Sequence, residues 1–311
     1  MKLHHIIEAQ QFDVPTLLQL FETATRMEQV VAEGGIPDYH NRIMATLFYE
    51  PSTRTRFSFE TAMHRLGGRV ISTENAAQFS SAAKGETLED TIRILNGYAD
   101  VIVIRHYEVG AAKRAAAVSR VPIFNAGDGA GQHPTQALLD LYTIRKEIGA
   151  IDGLPIAMVG DLAQGRTVRS LTYLLSKFKD VRLYFVAPPP LKMKEDILAH
   201  LRERNVWYVE EPQLEKVLPE VRVVYQTRIQ KERFGDRIAD YEQCRGVYVI
   251  NGETLRLMRP DAIVMHPLPR LQEISMEVDQ DPRAAYFRQA QNGLYVRMAL
   301  LTMVLGRSHE A

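Results

Sequence analysis

Short apolar runs alternate with segments of helical periodicity along most of the chain. The run Ile43-Met44-Ala45-Thr46-Leu47-Phe48 predicts a buried strand, and apolar residues return afterwards at helical spacing. Further strands are predicted at 69–73, 101–105, 121–124, 154–159, 181–186, 206–209, 221–225 and 262–265. Strands that alternate with helices are typical of parallel sheets covered by helices. We therefore predict an α/β fold with two doubly wound parallel-sheet domains linked by long helices.

The domain borders are predicted from the longest helical patterns. Helices are expected near 54–66, 87–98 and 110–118, and Asp13 is placed to cap an earlier helix. A long helix near 134–148, ended by Gly149, is a suitable bridge between domains. The predicted division is a first domain of 1–133 completed by a C-terminal helix of about 284–311, a bridge of 134–149 and a second domain of 150–283.

Composition narrows the class of protein. A chain of 311 residues is about twice a typical domain, and Lys plus Arg and Asp plus Glu both total 38, so any anion-binding site is local. The single cysteine, Cys244, excludes an intrachain disulfide and a cysteine-based metal cluster. The N-terminus has no long apolar region, and no stretch approaches the ~20 apolar residues that span a bilayer. We expect a soluble, cytoplasmic protein whose partners include neither nucleic acid nor membrane.

Polar clusters follow the predicted strands. In open α/β sheets, ligands bind beyond the carboxyl ends of the strands, so these clusters predict one active site in a cleft between the two domains. The clusters are Ser52 to Arg56, Arg105-His106, Asn125 to Gln136, Gly160-Asp161, Gln226-Thr227-Arg228 and His266 to Arg270. The first of them lies at a predicted helix N-terminus, where unpaired N–H groups and the helix dipole favour a phosphate.

The chemistry of these strand ends is cationic. They supply five arginines together with one histidine and two glutamines, namely Arg54, Arg56, Arg105, Arg166, Arg228, His133, Gln136 and Gln230. Such a set predicts small ligands that carry several negative charges. These positions include no acidic pair, metal-ligand group or paired nucleophile and base, so we expect neither a metal nor a cofactor. Catalysis by positioning and by stabilisation of a developing oxyanion is the hypothesis that remains.

A second interpretation comes from the segment Gly160-Asp161-Leu162-Ala163-Gln164-Gly165-Arg166-Thr167. It nearly matches the phosphate-binding loop of nucleotide-binding proteins, but Arg166 stands where that loop requires a lysine. A planar guanidinium suits carboxylates better than the point charge of an ammonium does. A phosphate- or nucleotide-binding regulatory protein therefore stays an alternative from another functional class.

Three motifs resemble the signatures of the carbamoyltransferase family over about residues 3–306. They are Ser52-Thr53-Arg54-Thr55-Arg56, His133-Pro134-Thr135-Gln136 and His266-Pro267-Leu268-Pro269. Pro267 stands where ornithine-specific members typically carry cysteine, and residues 228–234 resemble the loop that binds aspartate. The resemblance implies transfer of the carbamoyl group of carbamoyl phosphate to L-aspartate, a step of pyrimidine biosynthesis. Transfer to another amine, such as ornithine, is the alternative within the family.

The resemblance also implies roles for individual residues. Arg54, Thr55, Arg105 and His133 are the expected catalytic residues, with neutral His133, Thr55 and Arg105 polarising the carbonyl oxygen. The residues expected to bind carbamoyl phosphate are Ser52, Thr53, Arg54, Thr55, Arg105, His133, Gln136, Leu268 and Pro269. Those expected to bind aspartate are Lys84, Arg166, Arg228 and Gln230. Arg56 is expected to support the first loop.

Two further expectations come from the family. The Leu268-Pro269 peptide bond is expected to be cis, so that both carbonyls point toward the ligand. The polar loop at 75–86 is expected to reach the active site of a neighbouring subunit, with Lys84 and either Ser80 or Ser81 contacting ligands there. This implies a homotrimer with shared sites, and it leaves open whether regulatory chains or a partner enzyme bind as well.

Overall fold

The structure is a computed structural model that describes residues 3–79, 81–229, 234, 241–242 and 244–306. The chain divides into two compact units. Unit 1 comprises Met1–Leu139 and Gln291–Ala311, and unit 2 comprises Asp140–Ala290. Both borders fall inside helices, so two long helices each contribute residues to both units.

Unit 1 contains a parallel sheet of four strands. The strands are β1 Ile43–Phe48, β2 Arg69–Glu74, β3 Val101–His106 and β4 Ile123–Asp128. Their spatial order is β2-β1-β3-β4, and every neighbouring pair is parallel. The chain switches direction of winding between β1 and β3, which is where ligands bind in sheets of this type. β3 is buried at every position, whereas β2 is an edge strand whose residues are exposed or half-buried.

Unit 2 contains a parallel sheet of five strands. They are β5 Pro155–Val159, β6 Arg182–Val186, β7 Trp207–Glu210, β8 Val223–Gln226 and β9 Ile263–Met265. The order is β7-β6-β5-β8-β9, again with parallel neighbours throughout. The switch point here lies between β5 and β8, so the loops that follow these two strands are the ones placed to bind ligands.

Helices connect the strands of both sheets. In unit 1 and across its borders these are α1 Val14–Ala32, α2 Thr53–Arg65, α3 Ala76–Phe79, α4 Leu88–Leu95, α5 Ala111–Val118 and α6 Pro134–Ile148. The later ones are α7 Arg166–Leu175, α8 Glu195–Glu203, α9 Leu214–Val217, α10 Gly252–Leu257 and α11 Tyr286–Leu305. Asp13 caps α1 as predicted, because its Oδ1 accepts a hydrogen bond from the Thr16 N–H at 2.9 Å. Within the described ranges, no helix is long and apolar enough to cross a membrane.

The predicted fold class is confirmed, and the largest difference concerns β4. The sequence pattern ends this strand at Phe124, but the strand begins at Ile123 and continues to Asp128. Its polar residues stay in the strand because the N-terminal segment pairs along it: the Ile6 N–H donates to Ile123 O, and the Asn125 N–H donates to Ile6 O, both at 2.8 Å. Asn125 to Asp128 are therefore part of β4 and do not follow it.

Candidate active site

The turn between β1 and α2 is the candidate anion-binding element of unit 1. Ser52 is the residue before the helix, and its side chain makes no capping hydrogen bond within the described residues. Its hydroxyl and the N–H groups of the first turn are therefore not consumed by a cap. Thr55 is buried, Ser52 is half-buried, and Thr53 and Arg54 are exposed. A helix N-terminus of this kind attracts an anion through its N–H groups and its dipole.

Arg105 lies at the carboxyl end of β3, beside this turn in the sheet. Its side chain is buried, its Nη1 donates to Ala126 O at 3.1 Å, and its Nη2 pairs with Glu50 Oε2 at 3.1 Å. Burial lowers the pKa of Arg105, Glu50 opposes the shift, and the charge of Arg54 adds to it. Arg54 lies on the first turn of α2, which follows β1, and β1 pairs directly with β3. Both guanidinium groups stay charged at neutral pH, so they form a doubly cationic site.

Glu50 is a residue of the candidate site that the sequence reasoning missed. It precedes the anion-binding turn directly, and its carboxylate fixes the orientation of the Arg105 fork. Its position as an acid between a buried strand and a cluster of arginines was the available signal. A carboxylate among arginines at a strand end is expected to orient one of them.

The side chain of Arg56 links α2 to β2. Its Nη2 pairs with Glu74 Oε2 at 3.0 Å, and its Nη1 donates to Ser72 Oγ at 3.3 Å. Both partners lie on β2, so Arg56 fastens the helix that carries the anion-binding turn to the edge of the sheet. This is the supporting role expected of it.

His133 is held at the start of α6 by the preceding turn. Its backbone carbonyl accepts the first helical hydrogen bonds, from the N–H groups of Gln136 at 3.1 Å and Ala137 at 3.2 Å. Asp128 fixes the turn, because Oδ1 accepts from the Gln132 N–H at 2.7 Å and Oδ2 from the Gly110 N–H at 2.9 Å. The ring of His133 is buried, and Gln136 is half-buried one turn further on. Thus β4 and α6 bring His133 and Gln136 to the same edge of the sheet as Arg105.

The loop at 75–86 is described only in part. Lys84 is exposed and ends a 3-10 turn, Ser81–Lys84, while Thr87 caps α4 through a hydrogen bond from the Asp90 N–H at 3.2 Å. Ser80 lies outside the described residues, as does Gln230 of the second half. Of the expected loop residues, the structure therefore locates Lys84 and Ser81, which begins the same 3-10 turn.

In unit 2, the loops after β5 and β8 are bonded to each other. The Asp161 N–H donates to Thr227 Oγ1 at 3.1 Å, and Thr227 Oγ1 donates to Val159 O at 2.8 Å. Gly160 adopts φ +109° at this point, and a Cβ there would stand 2.5 Å from Thr227 O. Arg166 ends the loop after β5, and Arg228 lies in the loop after β8. The structure therefore places both arginines at the switch point of this sheet. Both are half-buried, and Arg228 Nε has no hydrogen-bond partner in the described part of the chain.

The same loop does not form a nucleotide cradle. Such a cradle turns successive backbone N–H groups toward phosphates. Here the N–H groups of Leu162 and Ala163 both donate to Leu191 O, at 3.0 and 3.1 Å, and that of Gln164 donates to Asp161 Oδ1 at 2.9 Å. Three of the N–H groups that could face a phosphate are therefore committed to other acceptors, which disfavours the nucleotide-binding interpretation.

The turn after β9 carries the third motif. The Leu268 N–H donates to His266 Nδ1 at 2.8 Å, so Nδ1 is an acceptor and the proton of the ring lies on Nε2, which donates to Glu273 Oε1 at 2.9 Å. Burial lowers the pKa of His266 and keeps this tautomer neutral. Leu268 has φ +51°, and the Leu268-Pro269 bond is cis, as expected. His266, which the sequence reasoning treated only as part of a motif, is the anchor of this turn.

Comparison with known proteins identifies the family. The model of the carbamoyl-P binding domain of aspartate/ornithine carbamoyltransferase matches residues 4–146, and the model of the Asp/Orn binding domain matches residues 152–304. The chain belongs to the aspartate/ornithine carbamoyltransferase family. A family member from Pisum sativum, aspartate carbamoyltransferase 1, chloroplastic, is 60% identical over 305 residues, which cover 98% of this chain and 79% of that protein.

Solved structures of the family agree with this assignment. The catalytic subunit of M. jannaschii aspartate transcarbamoylase superposes with a TM-score of 0.92 at 47% identity, covering 99% of this chain and 100% of that one. Aspartate transcarbamoylase from Trypanosoma cruzi, in complex with carbamoyl phosphate and aspartate, gives a TM-score of 0.92 at 43% identity, covering 97% and 96% of the two chains.

Proposed function

We propose that this protein transfers the carbamoyl group of carbamoyl phosphate to the amine of L-aspartate, which yields N-carbamoyl-L-aspartate and phosphate in pyrimidine biosynthesis. The observation that carries the proposal is the coincidence of family membership with the cationic residues at both switch points. Unit 1, with a doubly cationic helix N-terminus, is the proposed carbamoyl phosphate-binding domain. Unit 2, with Arg166 and Arg228, is the proposed aspartate-binding domain.

Carbamoyl phosphate is bound through its phosphate and its carbonyl group. Ser52, Thr53, Arg54 and Thr55 hold the phosphate at the N-terminus of α2. Thr55, Arg105 and His133 donate hydrogen bonds to the carbonyl oxygen, which becomes an oxyanion in the transition state. Support for this role comes from the buried Arg105 fork, which Glu50 and Ala126 O fix in orientation before any ligand binds.

The carbamoyl amino group is oriented by acceptors. The carbonyls of Leu268 and Pro269 accept its two N–H groups, with Gln136 assisting, and this fixes the plane of the group for attack. Support comes from the hydrogen bond of the Leu268 N–H to His266, which settles the backbone of the turn.

Aspartate is bound by its two carboxylates. Arg166, Arg228 and Gln230 bind them, and Lys84 contributes from a neighbouring subunit. The neutral amine attacks the carbonyl carbon, the bond from carbon to the phosphate oxygen breaks, and the departing phosphate takes up the proton from nitrogen. Each arginine contact contributes about 1.5–3 kcal/mol, which offsets the repulsion between two bound anions.

A homotrimer with shared sites is the proposed assembly, and a reducing, cytoplasmic setting is the proposed location. The exposed Lys84 at the end of its 3-10 turn supports the first proposal. The chain contains a single cysteine, Cys244, which is buried, and such sparse use of cysteine supports the second. Regulatory chains or a partner enzyme are compatible with both.

The decisive assay measures carbamoyl transfer to L-aspartate and to L-ornithine with purified protein. Ornithine brings a second ammonium group toward Arg166 and Arg228, so we expect a kcat/KM for aspartate at least about 10³-fold higher. Equal or faster transfer to ornithine would assign the protein to the other branch of the family. Stabilisation by ATP without transfer to either amine would instead favour the nucleotide-binding alternative.

A further inference from the structure

A chain of buried hydrogen bonds runs through unit 2 from β8 to the turn after β9. Tyr225 Oη donates to Asp140 Oδ2 at 2.7 Å, and Gln289 Nε2 donates to Asp140 Oδ1 at 2.6 Å. Gln289 Oε1 accepts from the His266 N–H at 2.8 Å. Tyr225, Asp140, Gln289 and His266 are each at most 2% exposed. Water therefore does not reach this chain, and its hydrogen bonds are made within the protein.

The directions of these bonds follow from one backbone group. The His266 N–H can only donate, so the Gln289 atom that faces it is the oxygen, and the amide nitrogen must face Asp140. Asp140 consequently accepts a hydrogen bond at each carboxylate oxygen, one from the Gln289 amide and one from the Tyr225 hydroxyl. Burial and the charge of Asp140 raise the pKa of Tyr225, which keeps that hydroxyl protonated as a donor.

Each end of this series of hydrogen bonds reaches a proposed substrate-binding element. At one end, His266 accepts the Leu268 N–H at its Nδ1, so Gln289 and His266 together fix the turn whose carbonyls face the carbamoyl amino group. At the other end, Tyr225 lies on β8 two residues before Thr227, whose Oγ1 accepts the Asp161 N–H at 3.1 Å. Asp161 belongs to the loop that leads to Arg166, the first residue of α7. We name these two ends the turn branch and the helix branch.

A carboxylate with no exposed surface is costly to bury, and the same position filled by an apolar side chain avoids that cost. Asp140 is 0% exposed on α6, and two neutral donors from β8 and α11 orient its oxygens. The turn branch and the helix branch meet at Asp140 through the bonds from Gln289 and Tyr225. Such an arrangement fixes the relative position of two loops that are far apart in sequence.

We propose that Asp140 is a positioning residue, which holds the Leu268-Pro269 turn through Gln289 and the Arg166 helix start through Tyr225. The inference rests on the proposed function for the roles of Arg166 and the turn. It assigns to α6 and α11 a part in aligning the two substrates, although neither Asp140 nor Gln289 belongs to the binding residues themselves.

The experiment uses one variant for each branch and one that exchanges the partners. Tyr225→Phe removes the helix branch, and we expect the KM for aspartate to rise about fivefold, the size of one lost hydrogen bond, with less change in kcat. Gln289→Glu places two carboxylates against each other and breaks the turn branch. Because a shared proton relieves that repulsion at low pH, we expect its kcat to fall progressively as the pH rises.

The exchange variant Asp140→Asn with Gln289→Glu restores complementary partners. The carboxylate introduced at position 289 accepts from the His266 N–H and from the amide introduced at position 140, and the oxygen of that amide accepts from Tyr225 Oη. We expect this double variant to recover most of the kcat lost in Gln289→Glu and to lose the added pH dependence. Tyr248→Phe is the matched control, since it deletes another shielded tyrosine hydroxyl of unit 2, which donates to Pro212 O at 2.9 Å. Its KM and kcat should stay at the levels of the unchanged protein.

Hydrogen exchange of the peptides that contain 266–269 and 165–168 provides a readout without turnover. We expect faster exchange at 266–269 in Gln289→Glu, faster exchange at 165–168 in Tyr225→Phe, and normal exchange in the double variant. The inference is overturned if folded Tyr225→Phe keeps a normal KM for aspartate, or if the double variant is as impaired as Gln289→Glu. An unchanged protein that lacks transfer activity counts against the proposed function alone, because the exchange rates still decide the positioning role.

Discussion

Arg105 shows how a buried cation is prepared for an anion. Its guanidinium has given up water, and Glu50 and Ala126 O each satisfy one terminal nitrogen. Its Nε has no partner among the described residues. A donor that is already desolvated and oriented loses little on binding, which is why such groups stabilise a developing oxyanion better than solvated ones do. Arg54 complements it as an exposed cation one strand away.

Replacement of Arg54 by alanine should affect catalysis and leave the fold intact. The side chain is exposed on the first turn of α2, and its removal takes away the charge that is proposed to face the bound phosphate. We expect kcat to fall by about 10²–10³-fold, with the melting temperature unchanged. Arg54→Lys should be intermediate because it keeps the charge and loses the planar fork.

Arg69→Ala is the control for this variant. Arg69 is an exposed arginine of unit 1 at the start of β2, where it pairs with Ile43 at the amino end of the parallel strands, opposite the carboxyl ends that lead to the anion-binding turn. Its kinetics should match those of the unchanged protein. An Arg54→Ala variant with normal kcat, or a matching loss in Arg69→Ala, would contradict the assigned role.

At the level of elements, Gly160 decides the geometry of the loop that leads to Arg166. Its φ of +109° lies in the region that favours glycine, and a Cβ would stand 2.5 Å from Thr227 O and 2.7 Å from Thr227 Oγ1. The loops after β5 and β8 approach each other only because this side chain is missing.

Gly160→Ala should therefore separate the two loops. We expect a loss of about 2–4 kcal/mol in the free energy of unfolding by urea, together with a higher KM for aspartate. Gly153→Ala is the matched control, since Gly153 also has a positive φ, +73°, but has no atom within 4 Å of its Cβ position. It should lose about 1 kcal/mol and keep normal kinetics. Equal effects of the two substitutions would show that strain alone, without the contact to Thr227, accounts for the change.

The sequence predicted the secondary-structure elements better than it predicted the contacts between residues that are far apart along the chain. The strands β1, β3 and β5 could be predicted because they are apolar runs buried in the middle of parallel sheets, and the residues of the anion-binding turn follow one of them directly. The end of β4 could not, because it depends on pairing with Ile6, more than a hundred residues away along the chain. Gln289 and Asp140 are separated by 149 positions, so their contact has no local pattern. The ion pair of Glu50 with Arg105 is hidden for the same reason.

At the level of the whole molecule, the pKa values of several titrating groups are shifted in the same direction. Burial lowers the pKa of His5, His106, His200 and His266. Hydrogen bonds from arginines lower the pKa of four carboxylates, Glu89, Asp196, Asp279 and Asp281. In both sets, the unfolded chain takes up protons at a higher pH than the folded protein does.

Acidification should therefore destabilise the protein in two steps. Below about pH 6.5 the histidines become charged in the unfolded state first, and each such proton lowers the free energy of unfolding by up to ~1.4 kcal/mol per pH unit. The carboxylates add a second loss below about pH 4. Urea titrations between about pH 7.5 and about pH 5.5 measure the first step. A free energy of unfolding that is constant or rising over this interval would be inconsistent with buried neutral histidines.

Shared sites in the proposed homotrimer can be tested by mixing chains. Lys84→Ala and Arg54→Ala should each be nearly inactive alone. In hybrids, some sites combine an intact Lys84 from one chain with an intact Arg54 from another, so activity should return in part. Recovery is measured after dissociation and reassembly of the mixed chains, with each variant treated alone as the control. Hybrids that stay as inactive as their parents would argue for sites built within one chain.

The division of α11 between the two units has a consequence for synthesis on the ribosome. Unit 1 requires residues 291–305, which are made after all of unit 2, whereas unit 2 is contiguous from 140 to 290. Domains generally fold as units while the chain emerges. The part of unit 1 that ends at Leu139, although it is made before unit 2, must therefore wait with an incomplete core until residues 291–305 have been made.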